Sequence, residues 1–279
     1  MSLPAAATDR RRVGGGDINE AWHVRLNGAE AFVKTRSDAG RGEYALEAAG
    51  LRWLAEPGAL RTPRVIEVAE DYLALEWVER GSLSVAGAEE LGRGLAAIHA
   101  AGAPCFGDPG FGEQLGVEAR IGSLRLPNEP EEDWCSFYAQ RRLLPLARIA
   151  SERGALGSTG VDAVERVCAR LERLAGPAEP PARLHGDLWS GNVHAGADGR
   201  PWLIDPSAYG GHREVDLAML RLFGAPSERV FAAYEEVAPL AEGWQERVSL
   251  WQLLPLLVHA VLFGGSYRAA AERVAESYS

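Results

Sequence analysis

Apolar and polar residues alternate over 22–26, Asn27-Gly28 offers the left-handed pair that a two-residue hairpin turn needs, and alternation resumes over 29–34. Period two sets Phe32 and Lys34 on one face of the returning strand. Over about 42–56 the period becomes helical, and Glu47 falls among Tyr44, Leu51 and Leu54 on the apolar stripe. A carboxylate there requires a partner, because an unpaired charge is costly to bury. Short strands over 64–68 and 72–78 complete a small sheet, and Arg80-Gly81-Ser82 ends the pattern. Helical spacing then takes over. Leu91, Leu95 and Ile98 line a helix ending at Gly102, a Gly/Pro-rich loop covers 103–112, and further helices follow over 133–152 and 161–174. A linker at 176–181 leads to a β-loop-β segment over 183–204 and to helices beyond it. The expectation is an α+β chain: an N-terminal lobe over 1–79 built on a small antiparallel sheet, and a mainly helical C-terminal lobe over 80–279.

Composition narrows the class. With 279 residues, 47% of them apolar and 24% charged, the chain has enough apolar residues for one or two globular domains and too few charges for wholesale disorder. A net charge of −10 argues against nucleic acid as the main ligand and suits a cationic small substrate. The longest apolar run, 253–263, is interrupted by Pro255 and His259 and is too short to span a bilayer, so it reads as a core helix and no membrane partner is expected. The first residues carry no apolar segment of the kind a secretory signal needs. Cys105, Cys135 and Cys168 are widely separated and odd in number, which points to a reducing, cytoplasmic setting. Lys34 is the only lysine. In a chain whose other basic residues are all arginine, it marks a place where a compact point charge serves better than a planar fork.

The β-loop-β segment contains HGDLWSGN and then WLIDP. His185, Asp187, Asn192 and Asp205 thus stand in the order H-x-D-x-x-x-x-N followed by an aspartate on the next strand. Phosphoryl transfer needs a carboxylate that orients the attacking hydroxyl and accepts its proton, and it needs oxygen ligands for Mg²⁺. Asp187 suits the first task; Asn192 and Asp205 suit the second. In the order of the kinase scheme, Lys34 would hold the α- and β-phosphates of ATP, Glu47 would hold Lys34, and Gly14, Gly15 and Gly16 would let the backbone close over the phosphates. Each element alone is weak, since polar residues are common in loops for turn chemistry. Their combination carries the reading.

Several blocks together resemble the fructosamine kinase (ketosamine-3-kinase) family: GGGDIN at 14–19, FVK ending at Lys34, IGSLRLPN at 121–128, DWCSFYAQRRLLPLARIA at 133–150, HGDLWSGN, and YGGHREVDLAMLRLFG at 209–224. The wider group, with aminoglycoside phosphotransferases and choline kinases, shares H-x-D-x-x-x-x-N and the later aspartate. The resemblance implies a protein-kinase-like two-lobe fold and ATP-dependent phosphorylation of the 3-hydroxyl of a ketosamine, carried on a small molecule or a protein lysine, with a monomer or weak dimer as the working unit. It implies that Trp189 stacks on the sugar, while His212 reads equally as a residue near the acceptor or as a surface histidine. Backbone groups of Glu76 and Val78 would bond adenine, Asp216 would brace the catalytic loop, and His185 would be structural.

The chain departs from the family in places. Asp17 stands where several members carry a cysteine, so thiol control through that loop is not expected, and Arg120 and Leu126 occupy positions in blocks that commonly read N-x-I-G and Gln-Pro-Asn. The competing readings are a kinase for another hydroxylated amine, such as an aminoglycoside or amino alcohol, and a nucleotide-binding regulator without turnover.

Overall fold

The computed structural model describes residues 3–14, 19–116 and 118–279. Its first part is a five-stranded antiparallel sheet of β1 (Ala7–Val13), β2 (Glu20–Leu26), β3 (Ala29–Thr35), β4 (Val65–Val68) and β5 (Tyr72–Glu76), in the spatial order β1-β2-β3-β5-β4. The β2–β3 turn is the one the dipeptide calls for: Asn27 and Gly28 have φ of 52° and 85°. Helix α1 (Glu43–Ala55) crosses one face, packing Tyr44, Ala48 and Leu51 on Leu73 and Leu75. The other face gathers Val24, Leu26, Ala31, Val33 and Ala74. Because β3 alternates, Lys34 lies on the α1 side with Phe32, which packs against the α1 cluster.

Strand β1 was not foreseen from the pattern. It is exposed over Thr8–Arg12, carries three consecutive arginines and has a register shift between Thr8 and Arg11 where it pairs with β2. Charges and irregularity are how an edge strand avoids further pairing, and they also erase the apolar alternation by which a strand is recognised.

The second part is mainly helical. It contains α2 (Val85–Ala100), α3 (Phe111–Leu115), the hairpin β6 (Arg120–Ile121) and β7 (Leu124–Arg125), α4 (Trp134–Phe137), α5 (Leu144–Glu152) and α6 (Ser158–Leu174). There follow β8 (Ala182–Leu184), β9 (Val193–Ala195), β10 (Pro201–Leu203), β11 (Tyr209–Gly211), α7 (Glu214–Leu222), α8 (Arg229–Val237), α9 (Trp244–Phe263) and α10 (Ser266–Tyr278). The single helix expected over 133–152 is divided by a wider π-helical turn at Tyr138–Leu143. Pro145 has no N–H to give to the carbonyl of Arg141, and that carbonyl instead accepts Arg142 Nη1 at 3.0 Å. Helix α9 contains the apolar run of the sequence; it is long and apolar enough to cross a membrane, yet 56% of its most apolar stretch is buried within the fold.

Two small antiparallel pairs, β8 with β11 and β9 with β10, frame the loop that holds HGDLWSGN. Leu188 in the middle of that loop is fully buried with Leu95, Leu203, Leu217 and Leu220. It pins the loop to the α2–α7 core while its neighbours face outward. Leu188→Ala should lower the unfolding free energy by about 2–5 kcal/mol, read as a lower midpoint in denaturant; a loss under ~1 kcal/mol would show that the loop is not anchored there.

Candidate active site

Lys34 is the meeting point of the two parts. Its side chain is buried, its Nζ donates to Asp205 Oδ1 at 2.9 Å across 171 residues of sequence, and it forms a closer ion pair with Glu47 of α1. Burial works against the ammonium, but Asp205 and Glu47 outweigh it and hold Lys34 well above the ordinary lysine range. Burial lifts the Glu47 carboxyl to about 7 even beside Lys34, whose charge is shared with Asp205. Loss of water would raise the Asp205 carboxyl too, but Lys34 outweighs that and keeps it below the usual carboxylate range. The apolar stripe of α1 tolerates Glu47 because a cation from β3 meets it there.

The loop between β8 and β9 is held by its own polar groups. Asp216, buried at the start of α7, accepts the N–H of His185 at 2.7 Å and of Gly186 at 3.0 Å, and it meets His99 Nε2 at 3.3 Å. His185 donates from Nε2 to the Ile204 carbonyl at 2.9 Å and accepts the Asp187 N–H on Nδ1 at 3.3 Å, which assigns the neutral tautomer. Burial, opposed by Asp216, pushes the His185 ring below its usual value, in keeping with a structural role. Gly186 has φ of 81°, and a Cβ there would stand 2.1 Å from the Ser207 carbonyl oxygen, so only glycine lets the two segments close.

Asn192 donates its Nδ2 to the Asp187 carbonyl at 2.8 Å and to Asp187 Oδ2 at 3.1 Å. That leaves its amide oxygen as the group a cation would take. Burial pushes the Asp187 carboxyl up to about 7 against the bond from Asn192, and the nearby charges of Asp205 and Asp216 add to the rise. Asp205 has φ of 53°, a left-handed conformation that costs a side-chain-bearing residue roughly 1–3 kcal/mol and is kept where the surroundings over-determine it.

These groups line a cleft of about 970 Å³ that includes Lys34, Glu47, Asp187, Trp189, Asn192 and Asp205. Six expected residues are not among its described lining: Gly14, Glu76, Val78 and His212, and the loop-bracing His185 and Asp216. Gly14 is exposed just beyond β1, and Gly15, Gly16 and Asp17 lie outside the described residues. Glu76 ends β5, and the Val78 carbonyl accepts His194 Nε2 at 3.2 Å. His212 is not a surface residue: it is 3% exposed, stacked on Trp251 with ring centres 5.4 Å apart, and burial lowers its ring's basicity.

Residues not foreseen complete the far wall. Trp189, 39% exposed, stands edge-on to Phe223, which neighbours His259 at 4.9 Å, and His259 neighbours Tyr267 at 5.0 Å. His259 registered in the sequence only as an interruption of an apolar run. The Trp189 ring lies over Gly191, where a Cβ would come within 2.2 Å of it. Leu126 has a packing role: it is 3% exposed within the large core.

The sequence profile of the fructosamine kinase family matches residues 2–278. A ketoamine-kinase homologue of Thermus thermophilus is 38% identical over 260 residues, covering 93% of this chain and 90% of that protein. The chloroplastic protein-ribulosamine 3-kinase of Arabidopsis thaliana is 34% identical over 274 residues, covering 95% and 81%. The crystal structure of a fructosamine-3-kinase homologue from Thermobifida fusca superposes with a TM-score of 0.89 at 44% identity, covering 98% of this chain and 93% of that one.

The raised carboxyls make the cleft a source of pH-dependent stability. Glu47 and Asp187 have folded values near 7, above ordinary carboxyl values of 4.5 and 3.8, so their contribution is full below those ordinary values and is lost as pH rises through about 7. Buried histidines held below their ordinary value act in the opposite direction in both proteins, so the difference is what isolates the carboxyl: in urea unfolding, Asp187→Asn should gain on the order of 2–4 kcal/mol relative to wild type between pH 5 and pH 8. Identical pH dependence in the two proteins would contradict the assignment.

Proposed function

The chain belongs to the fructosamine kinase family, and from that premise we propose that it transfers the γ-phosphoryl group of ATP, with Mg²⁺, to the 3-hydroxyl of a ketosamine, the sugar adduct of an amine. The observation that carries the reading is the convergence of Lys34, Glu47, Asp187, Asn192 and Asp205, drawn from both ends of the chain, on one cleft.

Asp187 is the proton acceptor. A base works best when its pKa lies near the working pH, and a carboxyl lifted to about 7 meets that condition, with about half of the molecules carrying the charged form at neutral pH. The bond from Asn192 leaves it oriented before any substrate arrives. Lys34 meets the α- and β-phosphates as a point charge, and Glu47 keeps the ammonium aimed and charged. The ring of Trp189, with Phe223 and His259 behind it, offers a wall for the apolar face of the sugar. Adenine falls to the end of β5 and the linker that follows, where the Glu76 carbonyl and the Val78 N–H are the backbone groups to meet it.

The residues fit Mg²⁺. Asp205 presents a carboxylate and Asn192 an amide oxygen, and this ion completes its shell with phosphates and water, so two protein ligands suffice. When bound, Mg²⁺ neutralises charge on the phosphates.

Incubation with γ-labelled ATP should place label on fructosyl-lysine or ribulosyl-lysine. Label appearing only on an aminoglycoside or amino alcohol, or on no acceptor at all, would overturn the proposal. Asp187→Asn should reduce kcat by about 10²–10⁴ while ATP affinity changes by less than about threefold. Lys34→Arg should lose at least about tenfold in kcat/KM for ATP although it keeps the charge, because the broader fork cannot occupy the seat between Glu47 and Asp205. Full activity in either variant would remove that residue from its role.

A further inference from the structure

The β6–β7 hairpin belongs to the large lobe. Ile121, Leu124 and Leu126 are buried in that lobe's main core, and the Leu126 N–H bonds the Ala119 carbonyl at 3.1 Å. Arg120 at its start points the other way. Its Nη1 lies 3.4 Å from Glu43 Oε2 in the first turn of α1, and both side chains are nearly sequestered, at 14% and 15% exposure. Glu43 is already gripped from the small lobe. Arg36 donates to both of its oxygens, at 2.9 and 2.8 Å, and the Gly40 N–H donates to Oε2 at 3.0 Å. Arg36 has a second acid, Asp38, at 2.9 Å, so Glu43 has charge to share with a guanidinium from across the cleft.

Gly40 shows that Arg120 has a seat. A Cβ built there would fall 1.9 Å from Arg120 Nη2 and 2.6 Å from its Cζ, so the guanidinium fills the space that any side chain at 40 would take. No left-handed φ requires glycine at this position. The guanidinium occupies the space. Glu43 and Glu47 are four residues apart, one turn of the same helix, so whatever holds Glu43 also sets the position of the acid that meets Lys34.

We propose that Arg120 is a positioning residue, a latch that ties the hairpin of the large lobe to the first turn of α1 and thereby holds Glu47 against Lys34 for nucleotide binding. The inference rests on the kinase reading for its readout. It goes beyond that reading in assigning part of the nucleotide site's order to a residue of the large lobe that meets α1 through Glu43.

The test is a two-site cycle read by calorimetric titration with ATP and Mg²⁺. Arg120→Gln removes the charge; Gly40→Ala leaves the charge but evicts the guanidinium. Each should weaken nucleotide affinity by about five- to tenfold, and the double variant should be no weaker than either single one, because both break the same contact. Arg120→Lys, which keeps a cation that can reach Glu43, should recover part of the loss. The thermal midpoint without nucleotide should move little in all of them. Wild-type affinity in both Arg120→Gln and Gly40→Ala, or additive losses in the double variant, would overturn the latch. Wild-type protein that takes up no nucleotide would instead refute the kinase reading.

Discussion

One ammonium, buried between a carboxylate of the small lobe and a carboxylate of the large one, organises this molecule. A lone buried cation would be strongly unfavourable, and so would either acid without it. The three groups are therefore tolerable only together, and they come together only when β3, α1 and the segment after β10 meet. The low-dielectric surroundings that make the arrangement costly to leave incomplete also strengthen its field. In the proposed reaction, a point charge held ready in such a place would need little reorganisation to meet phosphate.

The loop opposite is built by a different economy of groups. Leu188 is sunk in the core, Asp216 collects three donors, and His185 spends both ring nitrogens on backbone, so Asp187 and Asn192 are presented on a rigid turn. The unfavourable features gather at that turn and beside it: a carboxyl held near 7 at Asp187 and a left-handed backbone at Asp205. A left-handed aspartate and two carboxyls raised toward neutrality lie together in this cleft, the combination expected where a site is shaped for chemistry and not for stability.

Much of this was legible along the chain. The hairpin at Asn27-Gly28 follows from local turn chemistry, the helix bearing Glu47 from its apolar period, and the grouping of Asp187, Asn192 and Asp205 from spacing within one β-loop-β unit. These features depend on residues near one another in sequence. Strand β1 was hidden because an edge strand carries charge where a buried one carries apolar alternation, and the break in the helix around Pro145 was hidden because apolar spacing survives a π-helical turn. His212 shows the converse for burial. A histidine in a polar block looked exposed, yet it is stacked on Trp251 from α9, a neighbour almost 40 positions away.

Sequence by itself determined which chemistry was available: a solitary lysine, an acid on an apolar stripe, and a carboxylate–amide–carboxylate order within a short span. Tertiary structure alone decided that Lys34 is shared between Glu47 and Asp205, that Phe223, His259 and Tyr267 stand behind Trp189, and that Arg120 reaches Glu43 past a glycine. The reason is physical. Turn type, helix period and residue chemistry are set by local torsions and neighbours, whereas the partner of a buried charge is set by which distant segments the apolar core brings within a few ångströms.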